Sequence, residues 1–212
     1  MKKTVRAPRT DGEATYNRIL NAAGELFAST GYAETTNKMI AAKAEVDLAS
    51  INYHFGSRSG LYQAALVEAH RRLISVASLE KLVSMNLPPQ DKLKLLIKLL
   101  VENATAEQGW HARVLSREIL SPSSHLQTLK EREIPAKLPF VLAIISEITA
   151  IPPGDPALLR SLISVMAPCL MLLVVGRNIA PFADEIRHMP REDLVEHLYE
   201  FAVGGLKAIA RR

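Results

Sequence analysis

Residues 35–66, TTNKMIAAKAEVDLASINYHFGSRSGLYQAAL, hold two short runs of helix-spaced apolar residues parted only by Glu45, Val46 and Asp47. Thr35 or Thr36 can cap the first run, which ends near Ala44; Asp47 can cap the second, from about 48 to 54. On a helix beginning at Leu48, steps of three and four residues place Leu48, Ile51 and Phe55 in one stripe, the side expected to be buried. The opposite side presents Ala49, Ser50 and Tyr53, flanked by Asn52 and His54, and no carboxylate follows Asp47. Small residues and hydrogen-bonding tips without negative charge suit close approach to a polyanion.

The small and aliphatic residues Ile40, Ala41, Ala44 and Val46 allow the two helices to cross steeply, which is the helix-turn-helix arrangement, with the second helix entering a major groove. Thr35, Thr36 and Lys38 stand at one helix start, and Ser57 and Arg58 at the next. Free backbone N–H groups and the helix dipole favour phosphate there. Upstream, Ile19, Leu20, Ala23, Leu26 and Phe27 predict a helix from about 13 to 30, ended by Gly31. Downstream, Leu61, Leu66, Leu73 and Ile74 predict a long amphipathic helix leaving the small unit.

Residues 15–66 resemble the DNA-binding domain of the TetR family of transcriptional regulators, through ILNAAGELFASTGYAETT, then IAAKAEV, then INYHFGSRSGLYQAAL in that order. The resemblance implies Thr36, Lys38, Tyr53, His54 and Arg58 as phosphate-side residues, and Asn37, Ala49, Ser50 and Asn52 as base-side residues, on double-stranded palindromic DNA. Two positions depart from the family's pattern. Glu45 occupies the usual turn glycine, so a residue with a Cβ must take the left-handed conformation or the turn is altered. Asn52 replaces the first aromatic of the recognition helix, and Asn can pair with adenine edges.

The chain is 212 residues with 48% hydrophobic and only 5% aromatic residues, and its apolar content is mostly Ala, Leu and Ile, which tilts the class to all-α. Its organisation reads as a basic arm (1–12), the helix-turn-helix domain (13–62) and a larger C-terminal helical domain for ligand binding and dimerisation (63–212). Net charge is +4, concentrated at the start in Lys2, Lys3, Arg6 and Arg9: a solvated tail or an arm reaching a minor groove. The single cysteine, Cys169, lies in an apolar run and fits a reducing cytoplasm. No secretory signal is visible, and the apolar run from Leu162 to Gly176 falls short of the roughly 20 residues of a membrane span.

In the C-terminal part, HARVLSREILSPSS (111–124) resembles the CecR type of C-terminal domain, which in such regulators binds an effector and dimerises. Trp110, His111, Arg113 and Arg117, with Met166, form the candidate ligand set; the alternative makes Trp110 a core filler and pairs Arg117 with Glu118. Pro168 is expected to bend the apolar helix from about 156 to 178 and so widen a cavity. That helix and a final one, with Leu194, Leu198, Phe201 and Leu206 on one side, are expected to pair with their copies as a homodimer. Lys92, Lys94 and Lys98 read as a solvated face, and Pro135 and Pro139 as interruptions.

Glu107 and His111 share a helical spacing, but no HExxH, paired CxxC or dense His and carboxylate cluster exists, so no metal or cofactor is expected. GSRSG lacks the ending of a phosphate loop, and no nucleophile set assembles, so an enzyme is not expected. The competing reading from another class is a helical interaction or ligand-binding protein whose helix-turn-helix lacks operator affinity.

Overall fold

The computed structural model describes residues 10–106, 108–178, 185–186 and 188–210; the basic residues Lys2 to Arg9 and Glu107 lie outside them. The described residues form helices α1 (Thr10–Glu34), α2 (Asn37–Ala44), α3 (Leu48–Phe55), α4 (Arg58–Leu73), α5 (Val76–Ser84), α6 (Pro89–Ala104), α7 (His111–Leu120), α8 (Ile134–Thr149), α9 (Pro156–Asn178) and α10 (Arg191–Ala210). There is no strand among them, and the class is all-α.

The N-terminal unit packs α1, α2 and α3 around Ile19, Ala23, Phe27, Ile40 and Ile51, all at most 1% exposed. Gly31, at φ 87°, breaks α1 where a cap was expected. Helix α4 then runs uninterrupted into the C-terminal part, burying Leu61, Ala65, Leu66 and Ala69. Helix α6 is the hub of that larger part, packing on α4, α5, α8, α9 and α10. Its Leu93, Leu96, Ile97, Leu100 and Val101 are at most 1% exposed, and full burial of each such side chain contributes about 1.5–3 kcal/mol.

Four expectations are corrected here. Lys92 is buried and donates to the Val83 carbonyl at 2.8 Å, so only Lys94 and Lys98 of that set face solvent, where they pair with Glu196 and Glu102. Pro135 and Pro139 do not interrupt the chain. A wider turn at Leu129–Glu133 leads directly into α8, and Pro135 sits in its first turn, where a missing N–H costs nothing. On α10 the stripe divides: Leu206 is buried while Phe201 is 70% exposed. Finally, α9 is long and apolar enough by length and composition to cross a membrane, over Pro156–Val174 with mean hydropathy 2.1. Its Leu158, Ser161, Val165, Cys169 and Leu173 nevertheless pack inward against the helical core.

Candidate nucleic-acid interface and ligand cavity

The turn between α2 and α3 takes its ordinary form despite Glu45. That residue adopts φ 53° and ψ 50°, the left-handed region. The Val46 N–H bonds to the Ala41 carbonyl at 3.0 Å and the Glu45 N–H to Ala42 at 3.4 Å, the crossed pair of bonds that closes a helix C-terminus. Helix stability on either side therefore holds a strained residue in place, at a cost of about 1–2 kcal/mol.

Thr36, not Thr35, caps α2, its Oγ1 accepting from the Met39 N–H at 3.2 Å. Thr35 is fully buried and donates its hydroxyl to the Gly31 carbonyl at 2.6 Å, bracing the entry to α2. Asp47 caps α3, accepting from the Ser50 N–H at 2.6 Å, and its hydrogen bonds to Ser50 hold its carboxyl below the usual range. Gly56, at φ 72°, ends α3, and Ser57 caps α4 by accepting from the Gly60 N–H.

Along α3, Ile51 is fully buried, and Phe55 stacks on Tyr16 with ring centroids 4.6 Å apart. Leu48 departs from the expected buried stripe, standing 43% exposed because Val46 in the turn takes the packing place against the core. Tyr53 is 86% exposed, alongside exposed Ala49 and Asn52, while Ser50 is half-buried. His54 is half-buried, its ring edge-on to both Tyr53 and Tyr16. Thr36 and Lys38 are exposed on the same end of the molecule, and Asn37 turns its Oδ1 inward, where it finds no hydrogen-bond partner among the described residues. Arg58 is half-buried, donating Nη1 to the Thr35 carbonyl at 2.8 Å with its guanidinium over the Tyr32 ring at 4.4 Å. It ties the start of α4 to the turn before α2.

The candidate ligand set is not one site. Trp110 is buried, its indole lying over Gly24 of α1, where any Cβ would collide with the ring, and its Nε1 donates to Asn21 Oδ1 at 3.3 Å. Arg117 donates Nε to the Ala28 carbonyl at 2.8 Å and Nη2 to Ser29 at 2.7 Å, satisfying carbonyls near the end of α1. Arg117 and Glu118 do not pair. Glu118 is 2% exposed and accepts from Tyr62 Oη, the Ser123 N–H and the Ser123 hydroxyl. Arg113 is exposed, and Met166 and Pro168 stand away from the lining of the cavity that does form. That cavity, about 310 Å³, lies between α4, α7 and the segment joining α6 to α7, touches α9 at Leu173, and includes His111 alone of the expected set.

Two polar clusters went unread from sequence. His125 bridges Ser59 and Ser123 through its two ring nitrogens at 3.0 Å each, linking the start of α4 to the loop after α7. Glu133 accepts from Arg71 and Lys137, and Lys137 also donates to His70 Nδ1 at 2.6 Å. Burial, with the Lys137 cation beside it, pushes His70 down to about 4, so it is neutral. Cys169 is pushed up to about 11 by burial, and its thiol is inert. Among the described residues no group of His, Cys, Asp and Glu could hold a metal ion.

Comparison with known proteins accords with this geometry. Residues 19–65 match the profile of bacterial regulatory proteins of the tetR family, and residues 89–206 match that of the HTH-type transcriptional dual regulator CecR, C-terminal domain. The HTH-type transcriptional regulator UidR of Escherichia coli K12 is 30% identical over 67 residues, 32% of this chain; the match spans about a third of that relative's length, 34%. Over the whole fold the chain is similar to the fatty acid degradation regulator FadR from Bacillus halodurans, with TM-score 0.72 and 16% identity, covering 96% of this chain and 99% of that one. It is likewise similar to FadR from Bacillus subtilis, solved in complex with stearoyl-CoA, with TM-score 0.69 and 17% identity over 90% and 98% of the two chains. With the exposed α3 set on a capped turn and the larger helical part matched over residues 89–206, the chain belongs to the TetR family of DNA-binding transcriptional regulators and carries a CecR-type C-terminal domain.

Proposed function

We propose that this regulator is a cytoplasmic homodimer that represses transcription by occupying a palindromic operator and leaves it when a small molecule enters the C-terminal domain. The observation that carries the reading is the α3 surface, where Tyr53 is 86% exposed beside Ala49 and Asn52. A large aromatic is left in water at little benefit to a monomer, whereas its ring and hydroxyl both find partners on a DNA backbone. Residues 13–62 act as the reading unit, with Thr36, Lys38, Tyr53 and His54 on phosphates and Ala49, Ser50 and Asn52 toward base edges. Asn37 contributes through the amide nitrogen that its inward Oδ1 leaves turned outward. Arg58 acts by fixing the turn before α2.

Two copies of α3 must meet successive major grooves, which needs a two-fold axis. Helices α9 and α10 supply a surface for it: Leu159, Ile163 and Met171 are 49%, 65% and 50% exposed along one side of α9, and Phe201 is 70% exposed on neighbouring α10. Covering these faces across the axis also accounts for the outer side of the membrane-length helix α9 without a bilayer.

Selection of bound sequences from random duplex DNA, followed by anisotropy titration of the winner at two salt concentrations, tests the reading. A palindromic motif whose affinity falls steeply with salt supports it, because neutralised phosphates release counterions. Failure to enrich any sequence would favour a ligand-binding protein without operator affinity.

A further inference from the structure

The cavity between α4 and the α6–α7 segment has an apolar side made by Leu73, Leu115 and Leu173 and a polar side that includes Arg72, Asn103 and His111. Its volume of about 310 Å³ stands at the low end of the roughly 300–1,000 Å³ of small-molecule sites. A compact body fits; a long acyl chain does not.

The charge on the polar side is positive. Arg72 and His111 are close enough for the guanidinium to disfavour protonation of the imidazole. The acid beside them is Glu68, which accepts from Arg72 Nε at 3.1 Å on an exposed face and leaves the terminal guanidinium nitrogens for another acceptor. Asn103 spends its amide donor on the Leu73 carbonyl, at 3.1 Å. The donors that remain, an Arg fork and an imidazole, are those that recognise carboxylate or sulfonate.

His111 has a second face. Its ring stacks on Trp110, with centroids 4.0 Å apart and planes 21° apart, and Trp110 in turn lies on Gly24 and bonds to Asn21 of α1. Gly109, at φ 88°, turns the chain so that adjacent residues face opposite ways, His111 into the cavity and Trp110 onto the DNA-reading unit.

On the reading that this chain is controlled by an effector, we infer that the cavity takes a small organic anion, a carboxylate or sulfonate on a compact apolar body, held by Arg72 and His111. Engaging His111 shifts the stacking partner of Trp110 and so bears on the seat of α7 on α1. The bound state thus differs in the contact that fixes the DNA-reading unit, which is the differential affinity any effector needs.

The chain contains one tryptophan, so Trp110 emission reports the site directly. The probes are benzoate, cyclohexanecarboxylate and benzenesulfonate at up to millimolar concentration, with benzamide as the neutral control. At least one anion is expected to change Trp110 emission saturably while benzamide does not. Arg72→Gln, and His111→Phe, which keeps a ring on the indole, are each expected to weaken that response by about tenfold or more. No saturable response to any anion, or an equal response to benzamide, overturns the inference. An undiminished response in both variants also overturns it. Circular dichroism of each variant separates loss of the site from loss of fold. DNA binding without an anion response would leave the regulator reading standing and remove this one; a saturable anion response in a protein that selects no DNA would do the reverse.

Discussion

The phenol of Tyr62 on α4 donates to the carboxylate of Glu118 on α7 at 2.9 Å, with both residues at most 5% exposed. Burial, then the bond to Glu118, raises the Tyr62 pKa above its ordinary value. A raised pKa in the folded state means that the stabilisation is complete below the unfolded value of about 10 and fades as pH climbs above it, because only the unfolded chain gains by ionising. Tyr62→Phe is expected to cost about 1–2 kcal/mol at neutral pH, since Ser123 still satisfies one carboxylate oxygen. Its stability should also decline less in the alkaline range than that of the parent. Urea unfolding across neutral and alkaline pH checks both; parallel decline of the two proteins would remove Tyr62 as the source.

Glu45 gives a test of opposite sign. Replacing it with Gly relieves a left-handed residue, worth about 1–2 kcal/mol, against a greater chain entropy in the unfolded state of about 0.5–1 kcal/mol. Glu45→Gly is therefore expected to stabilise the protein by about 0.5 kcal/mol, seen as a modest rise in melting temperature, without altering DNA affinity. DNA binding that appears only in the Gly variant would show that the parent turn is faulty in solution.

These local features were legible because their causes are local. Ile40, Ile51, the Asp47 cap and the Gly31 break follow from spacings of a few residues, and each is where the sequence places it. Leu48 failed because a helix's first turn has no preceding turn to pack beside, so Val46 outside the helix could displace it. Trp110 and Arg117 could not be read as clamps, since Asn21 and Ala28 each lie 89 residues away along the chain. Glu133 and Lys137, four apart, look like a solvated pair; only the packing of α4 against that turn buries them. The cavity draws on α4, α6, α7 and α9 at once, and no single stretch of sequence carries its pattern.

On α3, Tyr53→Ala is expected to lower affinity for specific and non-specific DNA alike while leaving the melting temperature within about 0.5 kcal/mol of the parent in stability, since an exposed side chain supports little packing. Asn52→Ala should instead relax preference at one position of each half-site, with about 1–3 kcal/mol of discrimination lost there. Sequence selection on both variants distinguishes the roles. Uniform loss across all sequences in both would assign Asn52 to the backbone as well.

The exposed apolar residues of α9 and α10 make the dimer test quantitative. Ile163 and Phe201 stand 65% and 70% exposed, so a carboxylate at either position is solvated in a monomer and costs the isolated fold little. Across a two-fold interface the same carboxylate meets apolar neighbours and its own copy, and burying it unpaired costs several kcal/mol. The double variant Ile163→Asp with Phe201→Asp is thus expected to shift light scattering from dimer to monomer at micromolar concentration, with an unchanged helical spectrum. Operator affinity should fall with it, because a single reading head engages only one half-site. A variant that stays dimeric would place the two-fold axis elsewhere on the molecule, and a parent that is already monomeric would remove the paired-groove geometry altogether.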